Sequence, residues 1–292
     1  MLIPGSGTYA MEATAWAFGV DAKAVIIRNG YFSFRWSHIN ETARIFSSEV
    51  VLKARPASDA DEGSATRQFA PCPIEEVVAS IKAEAPAVVF APHVETSTGM
   101  IIPDSYISAV AAAAHEVGAI FVLDGIAAGN IWVDMKALGI DAYITAPQKG
   151  WSGPACAGVV MLSEKGVAAT KASADKRSSF SCNLLRWMTV MQRYDEGAFM
   201  YYTTLPTDAL MTFRDVIKEL EEFGVEKART AMTELGQRVR DELRTRGFTS
   251  ASADGFGSPG VVVVFTDVPG MVGHFKKHGI QVAGGVRGVL WC

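Results

Sequence analysis

Between residue 21 and about residue 163, short apolar runs alternate with stretches of helix length. Residues 25–27 (VII), 88–91 (VVFA), 120–123 (IFVL), 142–145 (AYIT) and 158–162 (GVVML) are apolar throughout, and each is followed by a polar or glycine-bearing turn. Such runs predict strands buried on both faces, in a mainly parallel sheet covered by helices. Residues 74–85 lie between Pro73 and Pro86, and residues 104–118 are an alanine-rich run that ends in glycine; both read as helices. The alternation is that of an α/β protein. Beyond residue 163 the pattern predicts helices over 182–193 and 207–246, the second with Thr207 and Asp208 as capping residues after Pro206. A strand at 260–266, a short helix and a glycine-rich end follow. The expected organisation is a large α/β domain over residues 1–200, then a linker helix and an incomplete α+β domain over 201–292. The polar patch at 57–66 (ASDADEGSAT) is expected to be an exposed loop.

Composition narrows the function. Of the 292 residues 49% are hydrophobic and the formal net charge is only −4, which excludes disorder over most of the length. The mild acidity argues against a nucleic-acid binder, which would show a basic face. No apolar run reaches the roughly 18–20 residues needed to cross a bilayer. The opening MLIPGSGTYA lacks the basic n-region of a signal peptide, so a cytoplasmic protein is expected. Cys72, Cys156, Cys182 and Cys292 are too sparse for a disulfide framework and show no C-x-x-C spacing. His38, His115, His274 and His278 form no ligand cluster and His93 reads as a core residue, so no metal is expected.

In a parallel sheet, ligands collect at the carboxyl ends of the strands. Three polar groups fall there: Glu95-Thr96-Ser97-Thr98, Asp124 and Gln148-Lys149. A fourth, Gly5-Ser6-Gly7-Thr8, opens a helix through Met11, Ala15 and Phe18. Backbone N–H groups and the macrodipole make such a start an anion cradle, although no G-K-[ST] follows to make it a nucleotide-binding loop. Lys149 sits between an apolar strand and a Gly-Trp-Ser-Gly-Pro turn, where partial desolvation would suit a Schiff-base nucleophile. Asp124, in Leu-Asp-Gly, is either a cap for the segment after Gly125 or a functional acid. An anion cradle, a strand-end acid and a strand-end lysine together match the phosphate, pyridine nitrogen and aldehyde of pyridoxal phosphate.

The stretches GSGTYAMEA, RNGYFSFR, VFAPHVETSTGM, FVLDGIAAGNIWVDMKALGID, ITAPQKGWSGP and YYTTLPTDAL carry a further resemblance. In this order they are similar to the class V, fold-type I pyridoxal-phosphate aminotransferases of the alanine/serine–glyoxylate group. The resemblance implies that Lys149 bonds the cofactor and Asp124 pairs with its pyridinium nitrogen. It implies that Ser6, Gly7, Thr8 and Gln148 hold the phosphate, Phe32 stacks on the ring and Ser97 lies near O3′. Core packing is the alternative for Phe32. Tyr201 and Thr204 match residues that reach across a homodimer interface to the partner's phosphate; a strand surface or a loop is the alternative. The implied reaction moves an amino group from alanine or serine to glyoxylate or pyruvate, and 2-aminoethylphosphonate is a related donor.

The chain departs from the family pattern at both ends. It starts four residues before G-S-G-T, where the family has an arm and a strand. It stops before the family's R-I-G-like strand, whose arginine clamps the substrate carboxylate, and Arg287 does not match that motif. The expectation is a truncated chain that captures cofactor with turnover poor or absent, or a non-catalytic fragment. A cysteine desulfurase is the rival enzyme, with Cys182 as its nucleophile in a segment that reads as helical.

Overall fold

The computed structural model describes residues 1–58 and 66–285. Most of the loop expected at 57–66, and the ending that contains Arg287 and Cys292, lie outside the described residues. The strands, in chain order, are β1 (Leu2–Pro4), β2 (Lys23–Arg28), β3 (Ser48–Lys53), β4 (Arg55–Pro56), β5 (Phe69–Ala70) and β6 (Val88–Pro92). They continue as β7 (Val94–Glu95), β8 (Met100–Ile101), β9 (Ile120–Asp124), β10 (Ala142–Thr145) and β11 (Ala157–Leu162). Seven form one sheet in the order β1-β11-β10-β9-β6-β2-β3, while β4 with β5 and β7 with β8 make two small ribbons. The run from β3 to β10 is parallel; β11 pairs antiparallel with β10, and β1 antiparallel with β11.

Among the described residues, α1 (Gly7–Phe18), α2 (Tyr31–Ala43), α3 (Ile74–Glu84), α4 (Asp104–Glu116) and α5 (Met135–Leu138) lie between strands in the chain, and α6 (Glu164–Ala172), α7 (Leu184–Asp195), α8 (Thr207–Phe223), α9 (Val225–Thr245) and α10 (Met271–Lys277) follow β11. Side chains alternate across the sheet, which explains why the central strands are apolar throughout. Ala24 and Ile26 of β2, with Phe90 and Val122, join Met11, Trp36 and Trp187 in one core. Val25 and Ile27, with Val89 and Phe121, join Val77, Ile81 and Ile107 in a second core on the other face.

Several elements differ from expectation. The helix expected over 207–246 is two helices, because Gly224 adopts φ 101°, a region that favours glycine and interrupts the ladder. The helix expected from Cys182 starts at Leu184, with the Asn183 side chain accepting from the Arg186 N–H at 3.0 Å; Cys182 lies in the preceding turn. Residues 260–266 form no regular strand. They pair only through a bridge between Val264 and Ser250 and flanking bonds such as Ala251 N–H to Val263 O, so the segment has a partner for only a few residues. Conversely, residues ahead of G-S-G-T supply β1, an edge strand.

At the amino end of β10, Asp141 ties three elements together. Its buried carboxylate accepts from the Phe121 N–H (2.9 Å), the Ser163 hydroxyl (3.2 Å) and the Lys165 ammonium (3.3 Å), and lies 2.9 Å from His115 Nε2. Removing one side of a buried, bonded charge network is strongly destabilising. Asp141→Ala is expected to lower unfolding stability by about 3 kcal/mol, measured by urea denaturation.

Candidate active site at the carboxyl ends of the strands

The site begins with the entry into α1. Gly5 holds φ 133° and donates its N–H to Cys156 O at 3.0 Å, which aims the chain from β1 into the helix. Ser6 is extended at the N-cap, and the first turn carries no acidic side chain. The positive end of the helix is therefore uncompensated by its own sequence. Gly7 faces Ile126 so closely that a Cβ would lie 2.6 Å from its Cδ1. A larger residue would require the Ile126 side chain to shift.

Beside this helix start is a cavity of about 250 Å³. Seven of the ten residues singled out from the sequence line it: Ser6, Gly7, Thr8, Phe32, Asp124, Gln148 and Lys149. Strand ends and turns bring them together. Asp124 is the last residue of β9 and is 7% exposed. Its Oδ1 accepts from the Ile126 N–H at 2.9 Å, but the segment after Gly125 is a turn and not a helix, so the helix-cap alternative is not met, and the residue lines the cavity. Burial pushes its pKa up to about 7; the Ile126 N–H opposes this, Glu95 adds to it, and Arg35 and Lys149 oppose it.

Lys149 lies in the turn that follows β10. The burial expected of it is not found: Lys149 is exposed while lining the cavity. Its neighbour Gln148 keeps a buried Oε1 with no hydrogen-bond partner. Phe32 lines the cavity and belongs to neither core cluster.

Three residues fall elsewhere. Ser97 does not line the cavity, because its hydroxyl accepts from the Tyr31 N–H (3.0 Å) and donates to Glu95 Oε1 (2.7 Å). Thr96 lines the cavity in its place. Tyr201, 66% exposed, and Thr204, also exposed, lie between α7 and α8, away from the cavity lining. His93 is buried; desolvation lowers its pKa to about 4, and it too is absent from the lining.

One functional-looking residue, Arg35, was not singled out from the sequence, and Glu95, marked there only as part of a polar strand end, has a role that the sequence did not reveal. Glu95 is fully buried and accepts from the Phe32 N–H (3.0 Å), the Ser33 N–H (2.9 Å), the Ser33 hydroxyl (2.7 Å), and the N–H (3.2 Å) and hydroxyl of Ser97. It therefore places a negative charge at the amino end of α2 and fixes the turn that presents Phe32. Glu95→Gln, which keeps the shape but loses the charge, is expected to lower stability by about 2 kcal/mol, read by thermal unfolding. Arg35, one helical turn beyond Phe32, lines the cavity and donates from Nη1 to Thr8 Oγ1 at 3.0 Å.

Comparison with known proteins places this arrangement. The profile of the family described as aminotransferase class-V matches residues 65–269. The chain belongs to the class-V aminotransferase family. It is 23% identical over 300 residues to alanine–glyoxylate aminotransferase 1 of Saccharomyces cerevisiae, covering 98% of this chain and 74% of that protein. It is 28% identical over 272 residues to a Salmonella schwarzengrund 2-aminoethylphosphonate–pyruvate transaminase, covering 91% and 67%. The crystal structure of an alanine–glyoxylate aminotransferase from Nostoc sp. superposes with a TM-score of 0.81 at 21% identity, covering 98% of this chain and 72% of that one. The architecture is thus that of the fold-type I aminotransferases, as the alternating pattern and motifs implied. The segment matched by the class-V profile contains Asp124, Gln148 and Lys149, while the α1 cradle and Phe32 precede it. Among the described residues, no helix is long and apolar enough to cross a membrane, and no group of three or more His, Cys, Asp or Glu could hold a metal ion.

Proposed function

We propose that this chain is a pyridoxal-phosphate aminotransferase that moves an amino group from alanine or serine to a 2-oxo acid such as glyoxylate or pyruvate. The observation that carries this reading is the convergence of an amine, a buried acid and a helix amino end on one cavity. The residues present fit the cofactor. The first turn of α1 borders the cavity and carries no acidic side chain to repel a phosphate, and the hydroxyls of Ser6 and Thr8 and the amide of Gln148 line the same wall. Asp124, raised by burial, becomes a carboxylate when a cationic nitrogen stands against it. Phe32 supplies an aromatic face.

When bound, the cofactor supplies an aldehyde for the amino group and a ring that accepts the electron pair left at the substrate's Cα. The protein does the rest. Lys149 is the amine that holds the cofactor and then takes and returns the Cα proton, as general base and acid. Asp124 keeps the ring nitrogen positive, a preorganised charge that matters most when negative charge develops. Ser6, Thr8 and the α1 N–H groups fix the phosphate end, so that proton transfer occurs at one geometry.

The similarity to a 2-aminoethylphosphonate–pyruvate transaminase supports a second donor class for the same chemistry. A desulfurase reading is less well supported: Cys182 is 2% exposed and burial pushes its thiol up to about 11, which leaves little thiolate. We place the protein in the cytoplasm and divide it into a cofactor-binding domain over 1–200 and a smaller region over 201–292. We also read it as a homodimer, supported by the exposure of Tyr201 and Thr204 away from the cavity of their own chain. The test is borohydride reduction with cofactor followed by peptide mapping, together with a donor panel of alanine, serine and 2-aminoethylphosphonate. An adduct on Lys149 is expected, with a 2-oxo acid formed from alanine or serine or an aldehyde from 2-aminoethylphosphonate; an adduct on another residue would sink the reading.

A further inference from the structure

We propose that Arg35 completes the anion cradle at the amino end of α1, holding a phosphate-class dianion jointly with Thr8. The inference deepens the cofactor reading above and rests on it. Arg35 lines the cavity, and its Nη1 donates to Thr8 Oγ1 at 3.0 Å. A hydroxyl that accepts from a guanidinium keeps its own proton to donate. The bond therefore turns Thr8 from a neutral polar neighbour into an oriented donor. The guanidinium also lies 5.3 Å from the Phe32 ring centroid, so a ring and a hydroxyl fix its plane.

Charge supports the same assignment. Among the described residues, no carboxylate lies within ion-pair distance of Arg35, and α1 has no acid in its first turn. Arg35, Lys149 and the helix amino end thus put positive charge around one cavity whose own acid, Asp124, is buried. An arginine fork adjoining backbone N–H groups suits a tetrahedral dianion with several oxygens. A substrate carboxylate would use the same guanidinium chemistry, so the experiment has to separate the two sources.

The test uses the cofactor-free full chain, titrated by calorimetry with inorganic phosphate and, separately, with acetate. Arg35→Gln is expected to weaken phosphate binding about tenfold, with acetate binding unchanged. Arg35→Lys should recover part of the loss, since the charge remains and the fork does not. Thr8→Val should also weaken phosphate binding. The double variant should lose less than the two single losses combined, because Arg35 acts partly through Thr8. Thermal unfolding without phosphate checks that each variant is folded; if Arg35→Gln is not, Arg35→Lys and Thr8→Val carry the test. Unchanged phosphate affinity in the Arg35 variants, no phosphate binding by the parent, or a loss confined to acetate would each overturn the proposal. Phosphate binding that depends on Arg35, with no borohydride adduct on Lys149, would instead sink the aminotransferase reading and leave this one standing.

Discussion

Lys149→Ala is expected to reduce turnover by about 10²–10⁴-fold, the range for losing a positioned proton-transfer group, and to abolish borohydride-stable labelling. Lys149 sits in an exposed turn outside both core clusters, so the variant should fold as well as the parent. This separates chemistry from stability. Added methylamine should restore part of the proton transfer if the lysine acts as acid and base. A variant that retained a quarter or more of parent turnover would remove Lys149 from the mechanism.

Asp124→Asn is expected to move activity and stability in opposite directions. Its carboxyl, held near 7 by burial, has an unfolded-chain value of about 3.9. Below pH 4 both states hold the proton and the group contributes no difference. As pH rises from about 4 to 7, the unfolded chain releases its proton while the folded one keeps it, so stability falls. Above 7 the cost is complete, at most about 4 kcal/mol for three decades of proton affinity at about 1.4 kcal/mol each. Asparagine never ionises and can still accept from the Ile126 N–H. The cofactor-free variant should therefore match the parent near pH 4 and exceed its stability at pH 8, seen as a higher urea midpoint. Turnover should drop by about 10²–10³-fold, as for loss of one preorganised electrostatic contact. Equal stability of the two proteins at pH 8 would mean that water reaches the carboxyl.

The central strands were legible because both of their faces are buried, which leaves an uninterrupted apolar signature in β6, β9 and β10. The edge strand β3 was not, since SEVVLK is only partly buried and flanked by charge. The helix α2 also escaped, because its buried side is Ser33, Trp36 and Ser37, a face with hydroxyls where an apolar stripe would be sought. Asp124 and Lys149 could be found because one ends an apolar strand and the other lies in the turn just beyond one, where ligands gather. Arg35 could not, and Glu95 was marked only as part of a polar strand end, without its role under α2. Their partners lie 27 and up to 63 positions away, and no local periodicity encodes a contact that only the folded sheet creates. The break at Gly224 was a local signal outweighed by the amphipathic pattern on either side of it.

The close approach of Gly30 to the Glu95-Ser97 corner has an evolutionary corollary. A Cβ at position 30 would come within 2.3 Å of the Ser97 Oγ and 2.8 Å of Glu95 Cγ. Positions 30, 33, 95 and 97 therefore form a lock whose members cannot be enlarged one at a time, because a larger group displaces the hydroxyls and carboxylate shared by the others. In descendants of this chain they should drift together or not at all, while the solvent-facing side of α2 varies freely.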